Sequence, residues 1–325
     1  MACKDTDTHC NLTAQTLVAA ILPPVLIVEL LVGLPGNVLA LWVFCRHLRP
    51  WRPTVVFLLN LVLADFFLLV SLPFRIDTLL RGENWVFGDI WCRINLFMLA
   101  INRSASIGFM TIVALDRYFK VVHPYNAVNF ITSQQAAGIA CFVWIVVVLL
   151  RFPLLNCNLL ITRNNNSFCR SFNPYTNPPT AIKLHYAVYL CEFFLSLMVL
   201  LFCSLRIYCI LRRRQPEKKK TTRQAIRIVL VIVGIFILCF LPGVATGLSA
   251  LYLKTLGKDY CEGFRFNGQL FVLAIGFTYL NSVLDPLIYG FCSSMFRDAV
   301  KIAITQFRLL KLKPSPNGRT CASDS

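Results

Sequence analysis

Two arginines in one apolar stretch of the chain, Arg103 and Arg117, have the spacing that points most clearly to chemistry. In an α-helix, fourteen residues advance about 21 Å and return to within about 40° of the starting direction, so both side chains share a face. A guanidinium keeps its proton, and placing one mid-membrane costs at least about 2.5–3.5 kcal/mol. Arg103 therefore requires an anion or a water-filled cavity. A carboxylate received through two parallel hydrogen bonds meets that requirement.

The surroundings of Arg103 leave two kinds of partner open. Glu192, in a later apolar stretch, is the candidate for a permanent ion pair, and a ligand carboxylate is the other possibility. Arg75, two residues beyond Pro73, serves either the same ligand or the lipid headgroups. Apolar walls with one or two cations suit an amphipathic monocarboxylate better than a nucleotide, which needs more phosphate donors. The residues expected to complete the site are Met98, Leu99, Ser171, Phe271, Ile275, Phe277 and Tyr279.

A second group of polar residues falls on inward positions nearer the other end of the same stretches. It comprises Asp65, Ser106, Asn281 and Asp285, with Asn37 nearby. Two buried carboxylates without a cation repel each other, so either one is protonated or a monovalent cation lies between them. A hydrogen-bonded packing cluster without an ion is the alternative.

These side chains belong to a chain of 325 residues that is 57% apolar and 14% charged, with 15 acidic residues. Soluble proteins are typically about 45–50% apolar and about 25% charged, so most of this surface must face lipid. The formal charge of +17 does not indicate a nucleic-acid partner, because the apolar fraction leaves no room for a large basic groove. The sequence also lacks a nucleophile elbow, a Gly-rich phosphate loop and an HExxH motif, so we expect no enzyme.

Seven stretches approach or exceed the roughly 20 apolar residues that span a membrane as a helix. The third carries Asn95, Asn102, Arg103, Asp116 and Arg117, so it is stable only if the others surround it, and we predict that it is the central helix. The predicted fold is an all-α bundle with an N-terminus at 1–16, seven membrane helices within 17–291 and a tail at 292–325. The stretches are 17–44, 54–80, 89–121, 135–155, 182–211, 222–252 and 267–291.

Basic residues predict the orientation of this bundle. The loop at 212–227 carries eight basic residues and one acidic residue, which favours the cytosolic side. With seven spans the N-terminus is then extracellular, and the glycosylation sequons at Asn11 and Asn165 lie on the outer side. Past the seventh stretch, helical spacing of apolar residues predicts a short amphipathic helix on the inner leaflet. Those residues are Phe296, Val300, Ile304 and Phe307.

Five motifs, in order on five stretches, resemble those of the rhodopsin-like G-protein-coupled receptors. They are Asp65 in LxxAD, Asp116-Arg117-Tyr118, Trp144, Cys239-Phe240-Leu241-Pro242 and Asp285-Pro286-Leu287-Ile288-Tyr289. Within that family, the runs LPFRID at 72–77, NLFMLAINRSASI at 95–107 and FTYLNSVLDPLIY at 277–289, with Cys10, look most like the hydroxycarboxylic-acid and oxoeicosanoid receptors. LPFRID and NRSAS lean towards the oxoeicosanoid branch.

The resemblance implies a plasma-membrane receptor that binds an oxidised fatty acid at Arg103 and signals through an inhibitory-class G protein. It also implies a structural sodium ion at the Asp65 cluster and a disulfide between Cys92 and Cys169. We further expect Cys10 to pair with Cys261, with Cys157 as the alternative partner. G-protein coupling then falls to Asp116, Arg117 and Tyr118, and the activation switch to Phe240, Pro242, Asp285, Pro286 and Tyr289.

Several positions depart from the family pattern. Ser196, Ser204 and Phe240 stand where these receptors usually have proline, tyrosine and tryptophan. Gly247 replaces an arginine of some hydroxycarboxylic-acid receptors, which favours a longer lipid over a small polar acid. A receptor for a small hydroxy acid or a nucleotide remains the alternative within the family. A carboxylate transporter is the alternative from another class, although no internal repeat supports it.

Overall fold

Seven long helices make up most of the computed structural model, which describes residues 16–47, 49–163, 166–171, 179–213, 219–255, 261–292, 296–298, 300–302 and 305. All seven are long and apolar enough to cross a membrane, as the sequence predicts. Their bounds are α1 Thr16–Arg46, α2 Pro53–Leu80, α3 Gly88–Val122, α4 Ser133–Arg151, α5 Thr180–Arg213, α6 Lys219–Thr255 and α7 Cys261–Cys292.

Helix α3 is the central helix, and its composition explains why. It is the least apolar of the seven spans and also the most buried, with 72% of its most apolar window enclosed against 22% for α4 and α5. It contacts α2, α4, α5 and α6. Asn95 and Asn102 donate hydrogen bonds to backbone carbonyls of α2, so their amides are satisfied inside the bundle rather than in lipid.

Two ends of the helices differ from the sequence prediction by four residues or more. Helix α4 ends at Arg151 and continues as a short 3₁₀ helix, Phe152–Asn156, because Pro153 has no N–H with which to continue the α-helical hydrogen bonds. Helix α7 begins at Cys261 rather than at residue 267, so its first turns precede the apolar stretch that predicts it.

The all-α prediction omits a two-stranded antiparallel hairpin between α4 and α5. Strand β1, Leu160–Arg163, pairs with β2, Asn166–Cys169, so that Leu160 lies opposite Cys169. The predicted disulfide between Cys92 and Cys169 is confirmed and joins this hairpin to the first turns of α3. We call this side of the bundle the disulfide end. Asn165, Cys10 and Asn11 lie outside the described residues, so the sequons and the second disulfide stay predictions.

The predicted eighth helix is present as a short helical segment after α7. Phe296 is buried against the rings of Phe44 and Tyr289, with centroids 5.4 and 5.9 Å away, and Val300 packs on the same core. These contacts fasten the segment to α1 and α7. Ile304 and Phe307 fall outside the described residues.

Candidate functional site

A cavity opens at the disulfide end between helices α2, α3, α4, α5 and α7. Its walls combine apolar side chains with four arginines that the sequence places far apart. The lining residues are Arg75, Leu96, Leu99, Ala100, Arg103, Arg151, Cys169, Arg170, Ser171, His185, Tyr189, Phe271, Val272, Ile275, Thr278 and Tyr279.

Arg103 lies deep in this cavity and is nearly enclosed, with 8% of its surface exposed. Its guanidinium carbon is 3.4 Å from the centroid of the Tyr189 ring, and one nitrogen donates a long hydrogen bond of 3.4 Å to the Tyr189 carbonyl. The Nε of Arg103 has no hydrogen-bond acceptor among the described residues, and no carboxylate there forms an ion pair with it. An arginine carries five donor hydrogens, so this one keeps most of its capacity for an incoming anion.

The permanent Arg103–Glu192 pair that the sequence left open is not formed. Glu192 instead accepts from Arg151 at 2.5 Å, and Arg151 also donates to Ser104 at 2.9 Å and contacts the His185 ring nitrogen at 2.9 Å. Sequence reasoning missed Arg151, since an arginine at the end of a membrane stretch is usually a headgroup anchor. Its burial to 1% exposure depends on α4 packing against α3 and α5, which the sequence alone does not show.

The disulfide end of the cavity carries two further arginines. Arg75 donates a 3.4 Å hydrogen bond to the Cys169 carbonyl, so its side chain turns inward instead of reaching the headgroups. Arg170 forms an ion pair with the buried carboxylate of Glu83. Burial lowers the pKa of Arg170, and the charge of Glu83 opposes that shift. Arg170 is therefore neutralised locally, whereas Arg75 contacts a neutral carbonyl.

Of the seven residues that the sequence analysis expects to complete the site, five line the cavity and two do not. Phe277 is 46% exposed on the outer face of α7, so its selection as a wall is wrong, and Met98 is not among the lining residues. The helical period explains the first error, because residues 271, 275 and 278 recur on one face of α7 and position 277 does not. The five that line the cavity are Leu99, Ser171, Phe271, Ile275 and Tyr279.

Gly247 on α6 lets the ring of Phe271, which lines the cavity, pack closely against that helix. A Cβ there would come within 3.2 Å of the Phe271 ring, so the glycine lets α7 bring that ring against α6. Phe240 lies below, where its ring centroid is 5.8 Å from the Arg103 guanidinium and 5.2 Å from the Phe236 ring. The Arg103 guanidinium therefore lies near a ring of α6 that is two residues before Pro242.

The polar cluster between α2, α3 and α7 is assembled as the sequence suggests, with Ser282 as an added member. Asp65 accepts from Ser282 at 2.6 Å and from Tyr289 at 3.4 Å, while Asn281 donates to Asp285 at 3.2 Å. Asp65 and Asp285 are fully buried. Among the described residues, several oxygens here lack any hydrogen-bond partner, and these are Ser106 Oγ, Asn281 Oδ1, Asp285 Oδ1 and Asn37 Oδ1.

At the opposite end from the disulfide, Asp116 and Arg117 form a loose ion pair with an N–O distance of 3.7 Å. Asp116 holds Lys120 more closely, at 2.7 Å, and accepts a hydrogen bond from Thr54 at 3.0 Å. Tyr118 contacts the ring of His123 through its hydroxyl at 3.1 Å. Asp116 therefore holds Arg117 more loosely than it holds Lys120.

Comparison with known proteins agrees with this architecture. The model of the family described as "7 transmembrane receptor (rhodopsin family)" matches residues 36–289. The chain is 41% identical to Hydroxycarboxylic acid receptor 3 of Homo sapiens over 97% of its own length and 81% of that protein. It is 40% identical to Oxoeicosanoid receptor 1 of Homo sapiens over 88% of its length and 73% of that protein.

A third relative is the 12-(S)-hydroxy-5,8,10,14-eicosatetraenoic acid receptor of Mus musculus, at 32% identity over 93% of both chains. The identities of 41% and 40% to the first two are so similar that they do not separate those receptors. The family match and the seven apolar helices also make this a multi-pass protein of the plasma membrane and not an enzyme. The chain belongs to the rhodopsin family of seven-transmembrane receptors, in the branch that contains the hydroxycarboxylic acid and oxoeicosanoid receptors.

Proposed function

We propose that this receptor is activated by a carboxylated lipid of the oxidised fatty-acid type, whose carboxylate binds Arg103. The observation that carries the proposal is the deeply placed guanidinium of Arg103, which has one long hydrogen bond and no carboxylate partner among the described residues. A bidentate carboxylate supplies the charge and the acceptors that the guanidinium lacks.

The chemistry of the walls supports a lipid over a small polar ligand. Leu96, Leu99, Ile275 and Phe271 provide an apolar surface directly beside Arg103. Relatives named for oxoeicosanoid and hydroxyeicosatetraenoic acid ligands support the same class. A small hydroxycarboxylic acid, as in the name of another relative, is the second candidate and leaves this apolar surface uncovered. A nucleotide fits less well, because Glu192 and Glu83 already neutralise two of the four arginines.

The experiment is a dose–response series of carboxylated lipids on membranes that contain the receptor and a G protein, with nucleotide exchange as the readout. We expect Arg103→Lys to lose most of the response, because a point-charge ammonium does not reproduce the two parallel bonds of a guanidinium. Full potency in Arg103→Lys would exclude bidentate recognition. Uptake of labelled lipid into sealed vesicles tests the transporter alternative, and we expect none.

We also propose that the disulfide end is extracellular and that the Arg117 end receives the α-subunit of an inhibitory-class G protein. Arg46, Arg52, Arg212, Arg213 and Arg223 all lie near helix ends on the Arg117 side, which favours the cytosol for that side. The loose 3.7 Å contact between Asp116 and Arg117 supports an exchange of Asp116 for a G-protein group on activation.

The buried polar cluster supports a sodium site as a further part of this proposal. Unpartnered oxygens of Ser106, Asn281 and Asp285 lie in one group with the carboxylates of Asp65 and Asp285, which is the donor set of a hard monovalent cation. These side chains would hold the ion. When bound, sodium neutralises part of the negative charge that two adjacent carboxylates otherwise place inside the bundle.

A further inference from the structure

The charges around the cavity are unevenly paired. Four arginines line it, and two of them have a carboxylate partner within the protein, Arg151 with Glu192 and Arg170 with Glu83. The other two, Arg75 and Arg103, have no ion-pair partner in the described part of the chain. Each donates a single hydrogen bond there, 3.4 Å long and to a backbone carbonyl. A length of 3.4 Å lies beyond the usual 2.7–3.2 Å range, so both cations are poorly satisfied.

These two cations lie at different depths. Arg75 contacts Cys169, whose Cα is 5.7 Å from that of Cys92 in the first turns of α3. Arg103 is eleven residues further along α3, which is about 16 Å at about 1.5 Å per residue. The Arg103 side chain leans towards the N-terminus of α3, which is the disulfide end, so its guanidinium lies roughly 10–16 Å from that of Arg75.

The wall between the two cations is apolar. On α3, Leu96, Leu99 and Ala100 recur at helical spacing between Cys92 and Arg103 and line the cavity. On α7 the facing wall is formed by Phe271, Val272 and Ile275. The cavity therefore presents a cation, an apolar stretch and a second cation in sequence. In an extended polypeptide each residue has three backbone bonds and spans about 3.3–3.6 Å, which is about 1.2 Å per bond. An extended hydrocarbon chain that bridges the roughly 10–16 Å between the two guanidinium groups therefore has roughly 8–13 bonds.

We propose that the cavity recognises a medium-chain α,ω-dicarboxylate, a fatty acid oxidised to a second carboxylate at its far end, held by Arg103 at one end and by Arg75 at the other. The inference rests on the proposed binding of a carboxylate at Arg103 and adds the second anchor. A dianion neutralises both poorly satisfied cations, whereas a monocarboxylate leaves one of them inside the occupied cavity without a counter-charge.

The test compares four compounds of matched length in the nucleotide-exchange assay, namely dodecanedioate, its monomethyl ester, dodecanoate and the corresponding ω-hydroxy acid. On the unmodified receptor we expect dodecanedioate to be at least tenfold more potent than the other three. Arg75→Gln should abolish the preference for dodecanedioate over the monoester and dodecanoate, and Arg75→Lys should keep part of that preference. Arg81→Gln is the matched control, because it removes a charge six residues further along the chain, from a side chain that does not line the cavity.

Equal potency of dodecanedioate and its monoester on the unmodified receptor would overturn the proposal. So would equal potency of the corresponding ω-hydroxy acid, which would show that Arg75 takes a neutral oxygen, or a response to dodecanoate without one to the diacid. An Arg75→Gln receptor that retains the full diacid preference would also overturn it. The proposed function fails by a different result, namely monocarboxylate potency that survives in Arg103→Lys.

Discussion

The buried pair of Arg151 and Glu192 shows how single residues hold the cavity in shape. Arg151 is enclosed between α3, α4 and α5, with Ser104, His185 and Glu192 around its guanidinium. Removing one partner of a buried ion pair leaves an uncompensated charge and costs about 3–5 kcal/mol. We therefore expect Glu192→Gln to lower the melting temperature of the purified receptor substantially.

The matched control for this prediction is Asp77→Asn, which breaks the exposed pair with Arg81. Exposed pairs contribute little, so this change should leave the melting temperature almost unaltered. Replacing both Arg151 and Glu192 with methionine should recover much of the loss, because no lone charge remains. Equal melting temperatures for Glu192→Gln and Asp77→Asn would contradict a structural role for the buried pair.

For single residues, the sequence predicts the buried cation Arg103 but not the ion pair beside it. Arg103 is identifiable because an arginine in the middle of an apolar helix requires an explanation. The commitment of Glu192 to Arg151 is not identifiable, since these residues are 41 positions apart and meet only through the packing of α4 and α5. Phe277 does not line the cavity, and its position on the helical wheel of α7, away from residues 271, 275 and 278, already indicates this.

At the scale of elements, the polar cluster that joins α2, α3 and α7 gives a second prediction. If sodium binds there and stabilises the resting arrangement, raising sodium should lower agonist affinity, with a coupling of about fivefold or more. Asp65→Asn should abolish that dependence, because it removes a carboxylate from the cluster. Agonist competition binding in sodium and in choline buffers measures the effect. Asp77→Asn, on the same helix but at the disulfide end, should keep the dependence of agonist affinity on sodium. A sodium effect that persists in Asp65→Asn would show that the ion binds elsewhere.

The elements themselves are largely predictable because hydrophobicity and length determine membrane helices. All seven helices and the central place of α3 follow from that rule. The hairpin Leu160–Arg163 and Asn166–Cys169 does not, since strands of four residues carry little periodic signal and this pair is held by its disulfide to α3. The early start of α7 at Cys261 likewise has no hydrophobic signal, because that turn extends beyond the apolar stretch.

For the whole molecule, the positive charge at the Arg117 end predicts how coupling responds to salt. Arg212 and Arg213 are exposed at the end of α5. Replacing both with glutamate, which reverses their charge, should weaken G-protein activation more at low ionic strength than at high. The reason is screening, whose length falls from about 30 Å at 0.01 M to about 3 Å at 1 M. Lys183→Glu, exposed near the other end of the same helix, is the control and should leave coupling at saturating agonist unchanged. An equal loss of G-protein activation at low and high ionic strength in the charge-reversed variant would indicate that these residues act through shape rather than charge.

The central claim, that Arg103 binds the carboxylate of the agonist, is tested most directly by changing both partners of that contact. Four potencies are measured, for the acid and its methyl ester on the unmodified receptor and on Arg103→Ala. Losing a desolvated charge contact costs about 2–5 kcal/mol, so the ester should be far weaker than the acid on the unmodified receptor. On Arg103→Ala the two should be almost equal, since the interaction is already absent. Equal potency of acid and ester on the unmodified receptor would contradict the claim and assign Arg103 a structural role.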